Sequence, residues 1–363
     1  MTLRGLLMWV HLVLGLTGAV LLAVVGITGV YITFQRPLEG WLNPIPSVPA
    51  FGGSPDLTAI VSAAEARFAP RRVARVEVRP QGEATIVRLR DRTIVFVNPG
   101  DATIIGSREA RFASLENLTA VMRRLHTNLL LGRKGRLLVT AATAEALLLV
   151  LTGLWLWWRK KHWQFRPWRG SVFRVSWDLH NATGIWFFVP LLSMVITGLL
   201  MSMPAPVHRL AGAPPAPRPQ APQSGTEGTP GAGAAPVALS RVVSLADSVV
   251  PGDPTLTLAI PSTPAGVFAV GKPGETVFID QFSGALIEAR PDRKPSAGDE
   301  ASEKVQRLHT GELLGVPGRT IMTLGSLMLT VMTITGAVLG LKRLLILAGD
   351  RAERGRARQA RAR

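Results

Sequence analysis

The sequence predicts a membrane α-helical protein with four transmembrane helices in two parallel repeats, together with two α+β domains outside the membrane. Three observations predict it: long apolar runs, basic residues confined to one side of them, and a duplication of the chain. Hydrophobic residues make up 47% of the 363 positions and gather near 6–31, 137–158, 182–203 and 320–346. Each run reaches the roughly 20 residues that a helix needs to cross the hydrocarbon core. Pro190 is expected to kink the third.

Lysine and arginine concentrate in three short segments beside these runs. Arg4 precedes the first run, and a tail from Lys342 to Arg363 follows the fourth. Between the second and third runs lies a basic loop with Arg159, Lys160, Lys161, Arg166, Arg169 and Arg174. Since cytoplasmic loops carry the excess of basic residues, both termini are expected in the cytoplasm, with the chain in a bacterial inner membrane. Topology therefore accounts for the net charge of +17, and no binding to nucleic acid is expected.

The layout follows from the apolar runs and from changes in composition. Each outer domain is predicted to hold one amphipathic helix, at 57–70 or 237–251, on an antiparallel sheet. The first apolar run is too long for a cleaved signal, so it is expected to be retained. The segments are helix 1 at 1–35, outer domain 1 at 36–118, an interfacial segment with helix 2 at 119–158, the basic loop at 159–178, helix 3 at 179–203, an Ala/Pro/Gly-rich linker segment at 204–236, outer domain 2 at 237–303, an interfacial segment with helix 4 at 304–346, and the basic tail at 347–363.

The chain is an internal duplication. His11 and His180 each stand 18 residues before the glycine of an Ile-Thr-Gly motif, at Gly29 and Gly198. A second set of motifs repeats at an offset of 183: Arg124-Leu-His126-Thr, Gly135-Arg136 and Thr152-Gly153 reappear as Arg307-Leu-His309-Thr, Gly318-Arg319 and Thr335-Gly336. Because both halves begin in the cytoplasm, the repeats are parallel and related by an approximate two-fold axis along the membrane normal.

Four of the six histidines occupy duplicated positions. His11 and His180 are expected at the cytoplasmic ends of helices 1 and 3, and His126 and His309 at the outer ends of helices 2 and 4. A two-fold axis brings equivalent residues face to face, so one pair is predicted in each leaflet. Two imidazoles across a dry helix bundle suit the axial ligands of a six-coordinate b-type haem, and two such haems are predicted.

Duplicated glycines and arginines complete the predicted cofactor sites. Gly15 and Gly184 lie one turn from His11 and His180, where a small residue lets a flat macrocycle approach the backbone. The candidates for the propionates of the outer haem are Arg124, Arg307, Arg136 and Arg319. These arginines equally suit a membrane interface. The Thr-Gly pairs are interpreted either as haem contacts or as helix-packing sites of small residues.

The other ionisable residues carry weaker expectations. His162 and His208 have no repeat partner and are expected to be ordinary polar residues. Glu145 lies in the middle of helix 2, and its repeat position is Met328. A role in proton movement or at a quinol site and a role as a protonated packing residue both stay open for it.

A straight helix cannot join His126 to Gly153 within the membrane. The segment between them would span roughly 40 Å, which is longer than the hydrocarbon core. Breaks are therefore expected near 132–135 and near 317–318.

The composition also excludes several chemistries. The chain has no cysteine, which excludes disulfides, iron–sulfur clusters, thiolate zinc sites and attached c-type haem. Neither a Gly-x-Gly-x-x-Gly fingerprint nor a P-loop occurs, so no nicotinamide or nucleotide site is expected. The electron donor is therefore expected to be separate, either a cytoplasmic reductase or a quinol.

Three motifs resemble those of the PepSY-associated transmembrane helix family. They are Trp177-Asp-Leu-His180-Asn-Ala-Thr-Gly184, Gly153-Leu-Trp-Leu-Trp-Trp-Arg159 and Arg307-Leu-His309-Thr-Gly311. The resemblance covers nearly the whole chain outside the linker and the tail, and the outer α+β units resemble PepSY domains. The first outer turn, Asn98-Pro-Gly-Asp101, departs from the family's Asp-Pro-x-Thr-Gly-like turn.

The resemblance implies a function. The family includes inner-membrane ferric-siderophore reductases with two b haems, so it implies an enzyme that passes electrons to a ferric siderophore or other periplasmic ferric complex. Two alternatives stay open: PepSY domains that bind a partner or regulate a peptidase on a helical anchor, and a small transporter. The anchor predicts a colourless protein. The apolar spans argue against a transporter, which needs a polar midplane.

Overall fold

The computed structural model describes residues 2–109, 117–159, 170–212, 220–224 and 236–361. Half of the expected basic loop, including His162, and part of the expected linker lie outside the described residues. The chain divides into two compact units. A helical unit comprises residues 1–38, 118–216 and 295–363, and a sheet-containing unit comprises residues 39–117 and 217–294.

The elements follow one another in an order that repeats once along the chain. The helices are α1 (Leu3–Thr17), α2 (Ala19–Thr33), α3 (Gln35–Leu42), α4 (Leu57–Phe68), α5 (Leu118–Asn128), α6 (Gly132–Trp158), α7 (Val172–Trp186), α8 (Phe188–Ser202), α9 (Ala205–Leu210), α10 (Leu239–Val249), α11 (Ala297–His309) and α12 (Gly315–Arg361). The strands are β1 (Val73–Glu77), β2 (Thr85–Leu89), β3 (Ile94–Val97), β4 (Ile104–Arg108), β5 (Thr257–Ala259), β6 (Val267–Lys272), β7 (Glu275–Asp280) and β8 (Leu286–Pro291).

The helical unit contains two to four candidate membrane spans. Two helices, Gly132–Trp158 and Glu312–Arg354, are long and apolar enough to cross a membrane. Two more spans result if each of two bent helix pairs, α1 with α2 and α7 with α8, counts as one. The sequence predicted four helices at these places, and the first and third of them are bent pairs.

Both bends fall at duplicated positions, and only the second has a cause in its own turn. α1 meets α2 at 63° beside Gly18, and α7 meets α8 at 71° beside Phe187. Pro190 has no N–H to donate to the carbonyl of Trp186, and its ring crowds that turn, so the kink expected in the third helix is confirmed. The first pair contains no proline. There, Gly18 lies directly against the carboxyl group of Glu145.

Small residues bring α2 and α12 into close contact. A Cβ atom at Gly26 would lie 2.4 Å from Thr330 Oγ1, and one at Gly29 would lie 2.4 Å from Ser326 Oγ. The Ser326 hydroxyl donates a 2.9 Å hydrogen bond to the carbonyl oxygen of Gly26. Since apolar side chains gain little from association in lipid, such close backbone approach and interhelical hydrogen bonding hold the helices together.

The second unit is built on one continuous antiparallel sheet. Its eight strands run in the order β4-β3-β2-β1-β5-β6-β7-β8. The two halves of the chain meet where β1 pairs with β5, for example Val76 with Leu258. The helices α4 and α10, at the places where the sequence predicted them, pack their apolar sides into one shared core with the strands. That core includes Ile60, Ala64, Val73, Val76, Val87, Val242, Ala246, Leu258, Val270 and Ile279.

A buried carboxylate fixes the turn after β7. The backbone N–H groups of Phe282 and Ser283 donate to Asp280 Oδ1 at 2.9 and 2.8 Å, and the Ser224 hydroxyl donates to Oδ2. Burial alone raises the pKa of Asp280, but the hydrogen bond from Ser224 and those from Ser283 and Phe282 outweigh it and lower the pKa to about 2. Asn98 holds the matching turn of the first half, where its Oδ1 accepts from Gly100.

Asp280→Ala should destabilise the sheet unit by about 1–3 kcal/mol, because it removes the charged acceptor of the hydrogen bonds from Phe282, Ser283 and Ser224. Asp280→Asn keeps one acceptor oxygen and should cost less. The folded pKa lies below the unfolded value of about 3.9, so the contribution is present above pH 4 and is lost as the pH falls towards 2. Thermal unfolding in detergent, followed by circular dichroism, measures both effects. An unchanged midpoint for Asp280→Ala at pH 7 would contradict this account.

Candidate functional site

The four duplicated histidines form two facing pairs in the helical unit. His11 on α1 faces His180 on α7, with 6.2 Å between ring centroids. His126 on α5 faces His309 on α11, with 6.4 Å between ring centroids. The planes of the first pair cross at 82° and those of the second at 60°. The pairing expected from the duplication is therefore present in the geometry.

Each histidine is held by the threonine of a Thr-Gly pair on another helix. Nδ1 of His11 lies 2.9 Å from Thr152 Oγ1, and Nδ1 of His180 lies 3.2 Å from Thr335 Oγ1. In the other pair, the distances are 3.1 Å from His126 to Thr28 and 2.9 Å from His309 to Thr197. The Thr-Gly motifs therefore contact the histidines, which is a more specific role than helix packing.

The threonines determine which ring nitrogen carries the proton. Each threonine hydroxyl donates to a carbonyl one turn back on its own helix, at 2.6 Å for Thr28, Thr152 and Thr197 and 2.8 Å for Thr335. Its oxygen is then left as an acceptor, so Nδ1 of the histidine must donate. The carbonyl of Val25 lies 3.0 Å from His126 Nδ1 and supports the same tautomer. The Nε2 atoms consequently keep their lone pairs free.

The glycine of each Thr-Gly pair makes room for the imidazole. A Cβ atom added at Gly29, Gly153 or Gly198 would lie 3.3 Å from the Cε1 atom of the adjacent histidine, and one at Gly336 would lie 3.1 Å from it. These distances are shorter than an ordinary van der Waals contact. Threonine and glycine therefore act together: one orients the ring and the other lets it approach.

A large cavity opens beside the His11 and His180 pair. It has a volume of about 860 Å³, within the usual range of roughly 300–1,000 Å³ for ligand sites. Gly15 and Gly184, which the sequence singled out, line it. A Cβ atom at Gly184 would lie 3.1 Å from Met332.

Four basic residues line the same cavity, and sequence reasoning assigned them only to topology. They are Arg4, Arg174, Lys342 and Arg343. Arg174 also pairs with the buried carboxylate of Asp178 at 3.3 Å, and the Lys342 ammonium lies 4.1 Å from the centroid of the Phe173 ring. In the sequence, these four residues stand next to the ends of the apolar runs. The positive-inside pattern explains basic residues at such places equally well, so the sequence alone did not point to a cavity.

The four arginines predicted beside the outer pair, His126 and His309, lie on four helices, α5, α6, α11 and α12. Arg124 and Arg307 lie two residues before His126 and His309, and both are exposed. Arg136, in the second turn of α6, is also exposed. Arg319 is half-buried and lies 3.8 Å from Glu312, while its Nε atom is buried without a hydrogen-bond partner.

The chain breaks between each outer histidine and the span that follows, as the sequence predicted. α5 ends at Asn128, two leucines with positive φ follow, and α6 begins at Gly132. In the second half, Gly311 takes the left-handed conformation and a short 3₁₀ turn leads into α12. The break therefore precedes 132–135 and 317–318 in the sequence.

Two further singled-out residues, His208 and Glu145, belong to neither pair. His208 on α9 is buried, with Nε2 3.4 Å from the Ser302 hydroxyl and Nδ1 without a hydrogen-bond partner. Glu145 lies on α6, where its Oε1 accepts a 2.6 Å hydrogen bond from Thr17.

The family model described as "PepSY-associated TM region" matches residues 8–343. The match covers nearly the whole chain, so the chain belongs to this family, as its motifs predicted. No curated protein matched it.

Gly135→Ala should disrupt the outer histidine pair, because its Cβ atom would lie 1.8 Å from the carbonyl oxygen of Asn128. The start of α6 and the end of α5 would have to separate. Overpacking of this kind costs about 1–3 kcal/mol, measurable as a lower thermal midpoint in detergent. Gly40→Ala is the control, since no atom lies within 4 Å of its Cβ position. Equal midpoints for both variants would show that the close approach at Gly135 is unimportant.

Proposed function

We propose that this member of the PepSY-associated TM family is a di-haem, inner-membrane oxidoreductase that passes electrons from the cytoplasmic side to ferric iron in the periplasm. The preferred acceptor is a ferric siderophore. The observation that carries the proposal is the pair of facing histidines at each of two positions, with both Nε2 lone pairs free.

The spacing of the rings fits one iron between each pair. A metal–imidazole bond is about 2 Å long, and half a ring adds about 1 Å on each side, so two axial imidazoles have centroids about 6 Å apart. The observed separations are 6.2 and 6.4 Å. Two unprotonated nitrogens cannot hydrogen-bond to each other, whereas a metal between them satisfies both. The four remaining positions of a six-coordinate iron suit the nitrogens of a porphyrin.

The residues around each pair suit the rest of the macrocycle. At the inner pair, apolar walls with Gly15 and Gly184 would take the flat ring, and Arg4, Arg174, Lys342 and Arg343 would pair with propionates. At the outer pair, Arg124, Arg136, Arg307 and Arg319 are the propionate candidates. Bound in these sites, haem supplies one-electron redox chemistry at a potential set by its axial ligands and surroundings.

The protein's own groups prepare the site for electron transfer in a fixed geometry. The Thr152 and Thr335 oxygens hold the inner imidazoles in one tautomer, which keeps the ligand nitrogens aimed between the rings. The apolar lining keeps water away. Little therefore has to move when charge changes at the site.

The two pairs are separated along the membrane normal in the proposed orientation. His11 and Thr28, which contacts the outer pair, are 17 residues apart along α1 and α2. That is about 25 Å along a straight helix, and the bend shortens it to roughly 20 Å. The basic loop and tail support cytoplasmic termini, which would place the His11 pair on the cytoplasmic side.

Reduction explains why iron is released from a siderophore. Hard oxygen ligands bind Fe(III) tightly, and they bind the softer, less charged Fe(II) far less tightly. The electron donor is separate from the chain, either a cytoplasmic reductase or a quinol.

The proposal is tested by a visible spectrum and a haem count on the protein purified in detergent. The expected result is sharp low-spin b-type bands after dithionite reduction, with about two haems per chain. Anaerobic addition of a ferric siderophore should then reoxidise the protein and produce Fe(II), which a ferrous chelator detects. A preparation that stays colourless after haem supplementation would contradict the proposal. It would favour the alternative, a membrane anchor whose sheet unit binds a partner or regulates a peptidase.

The histidine pairing makes a sharper prediction. His11→Ala and His180→Ala should each remove the same haem, leaving about one per chain, while His126→Ala and His309→Ala remove the other. A pyridine haemochrome count and the reduced spectrum measure this. His208→Ala is the matched control and should keep both haems, because its imidazole lies in neither pair. If His11→Ala and His180→Ala remove different haems, the symmetric ligand assignment is wrong.

A further inference from the structure

A carboxyl group lies where the first bent helix pair breaks. Glu145 is the one acidic residue in the interior of the candidate spans that has no basic ion-pair partner among the described residues, since Asp178, in the middle of α7, pairs with Arg174. An ionisable residue in this setting is costly and usually functional. Glu145 is half-buried and its partner Thr17 is exposed on the surface of the helical unit. In a bilayer, that surface faces lipid.

The break in the helix makes the space that the carboxyl group occupies. A Cβ atom at Gly18 would lie 2.7 Å from Glu145 Oε2, so any larger residue would displace it. Glu145 Oε1 accepts a 2.6 Å hydrogen bond from the Thr17 hydroxyl. One oxygen is therefore engaged, and no protein hydrogen bond to Oε2 accompanies it among the described residues.

Thr17 allows Glu145 to take up a proton without moving. Its hydroxyl lies 3.0 Å from the carbonyl oxygen of Val13 and 3.1 Å from that of Leu14, as well as beside the carboxyl group. When Glu145 is a carboxylate, Thr17 donates to it. When Glu145 is a carboxylic acid, it can donate to Thr17, which then donates to its own helix. Both states keep the same heavy-atom positions.

The carboxyl group is close to the inner histidine pair. Glu145 and Thr152, which binds His11, are seven residues apart on α6, about two turns or 10 Å. Gly15, Leu22 and Ala146 flank the break and line the cavity of that pair. The equivalent position in the second half is Met328, so the arrangement occurs in one repeat.

We infer that Glu145, with Thr17 beside it, is the proton acceptor of a lateral site that oxidises a membrane quinol. This inference rests on the proposed function and identifies its donor. A quinol is dissolved in the bilayer, reaches a lipid-facing group directly, and carries hydroxyl donors that match a carboxylate. It loses two electrons and two protons as its two O–H bonds break and two ring carbonyls form. Glu145 would take up the two protons one after the other and release each to the aqueous phase. The two electrons would pass through the proposed haems, one to each of two ferric acceptor ions.

The test compares Glu145→Gln with Met328→Gln, which places the same amide at the equivalent, half-buried position of the other repeat. The probe is a short-chain benzoquinol. Haem reduction is followed spectroscopically, with dithionite as the donor that needs no quinol site. Glu145→Gln is expected to keep its haems and its dithionite-reduced spectrum but to be reduced by the quinol at least tenfold more slowly. Met328→Gln should match the unmodified chain.

A binding measurement separates the two proposals. Quenching of tryptophan fluorescence by the corresponding benzoquinone reports binding to haem-free protein, and Glu145→Gln should weaken it several-fold. If the unmodified chain is reduced by dithionite but not by the quinol, or if Glu145→Gln reacts with the quinol at the normal rate, the quinol site is wrong and the proposed function stands. If no haem is detected after dithionite reduction, the proposed function fails. If quinone binding is also unchanged by Glu145→Gln, the quinol site is wrong as well.

Discussion

The hydrogen bond from a histidine Nδ1 to a threonine oxygen is the interaction on which the rest of the helical unit depends. A neutral imidazole has one donor and one acceptor, and which nitrogen carries the proton depends on its partner. Here the threonine hydroxyl already donates a hydrogen bond to a carbonyl of its own helix, so its oxygen can only accept one from the histidine. The same arrangement occurs four times, and each time it leaves Nε2 as a free ligand facing an identical neighbour. Tautomer, ring direction and pair spacing thus follow from one contact.

The helix breaks serve the same geometry. A single straight helix from His126 to Thr152 would be about 40 Å long, which is longer than the hydrocarbon core. The two residues could not both lie in the core on such a helix. Separating α5 from α6 lets His126 return to the bundle, and Gly135 lets the two helices touch. The bend between α7 and α8 follows from Pro190. Backbone irregularity is tolerated at this depth where it is buried in protein or lines a cavity.

Duplication made the pairing of the histidines predictable, because equivalent positions in parallel repeats meet at the two-fold axis. The kink at Pro190 was predictable as well, since a proline acts on its own turn. The role of the Thr-Gly pairs was not, because a threonine and a histidine more than 90 positions apart have no local signal that joins them. The bend at Gly18 depends in the same way on Glu145. The pairing of β1 with β5, which joins both halves into one sheet, is likewise a contact between distant segments.

In the proposed function, the direction of electron flow depends on the surroundings of the two histidine pairs, because the pairs themselves are nearly alike. Both pairs have imidazole rings, threonine partners and nearly the same spacing, so these features would not give the two proposed haems different potentials. Charge, exposure and hydrogen bonding around the macrocycle are the remaining means. The inner cavity combines Arg4, Arg174, Lys342 and Arg343 with the ion-paired Asp178, and Glu145 lies two turns away. Met328 occupies the equivalent position in the second repeat. The duplicated scaffold therefore supplies two nearly equal sites. Under the proposed function, the residues that differ between the repeats are the ones able to make one site the entrance for electrons and the other the exit.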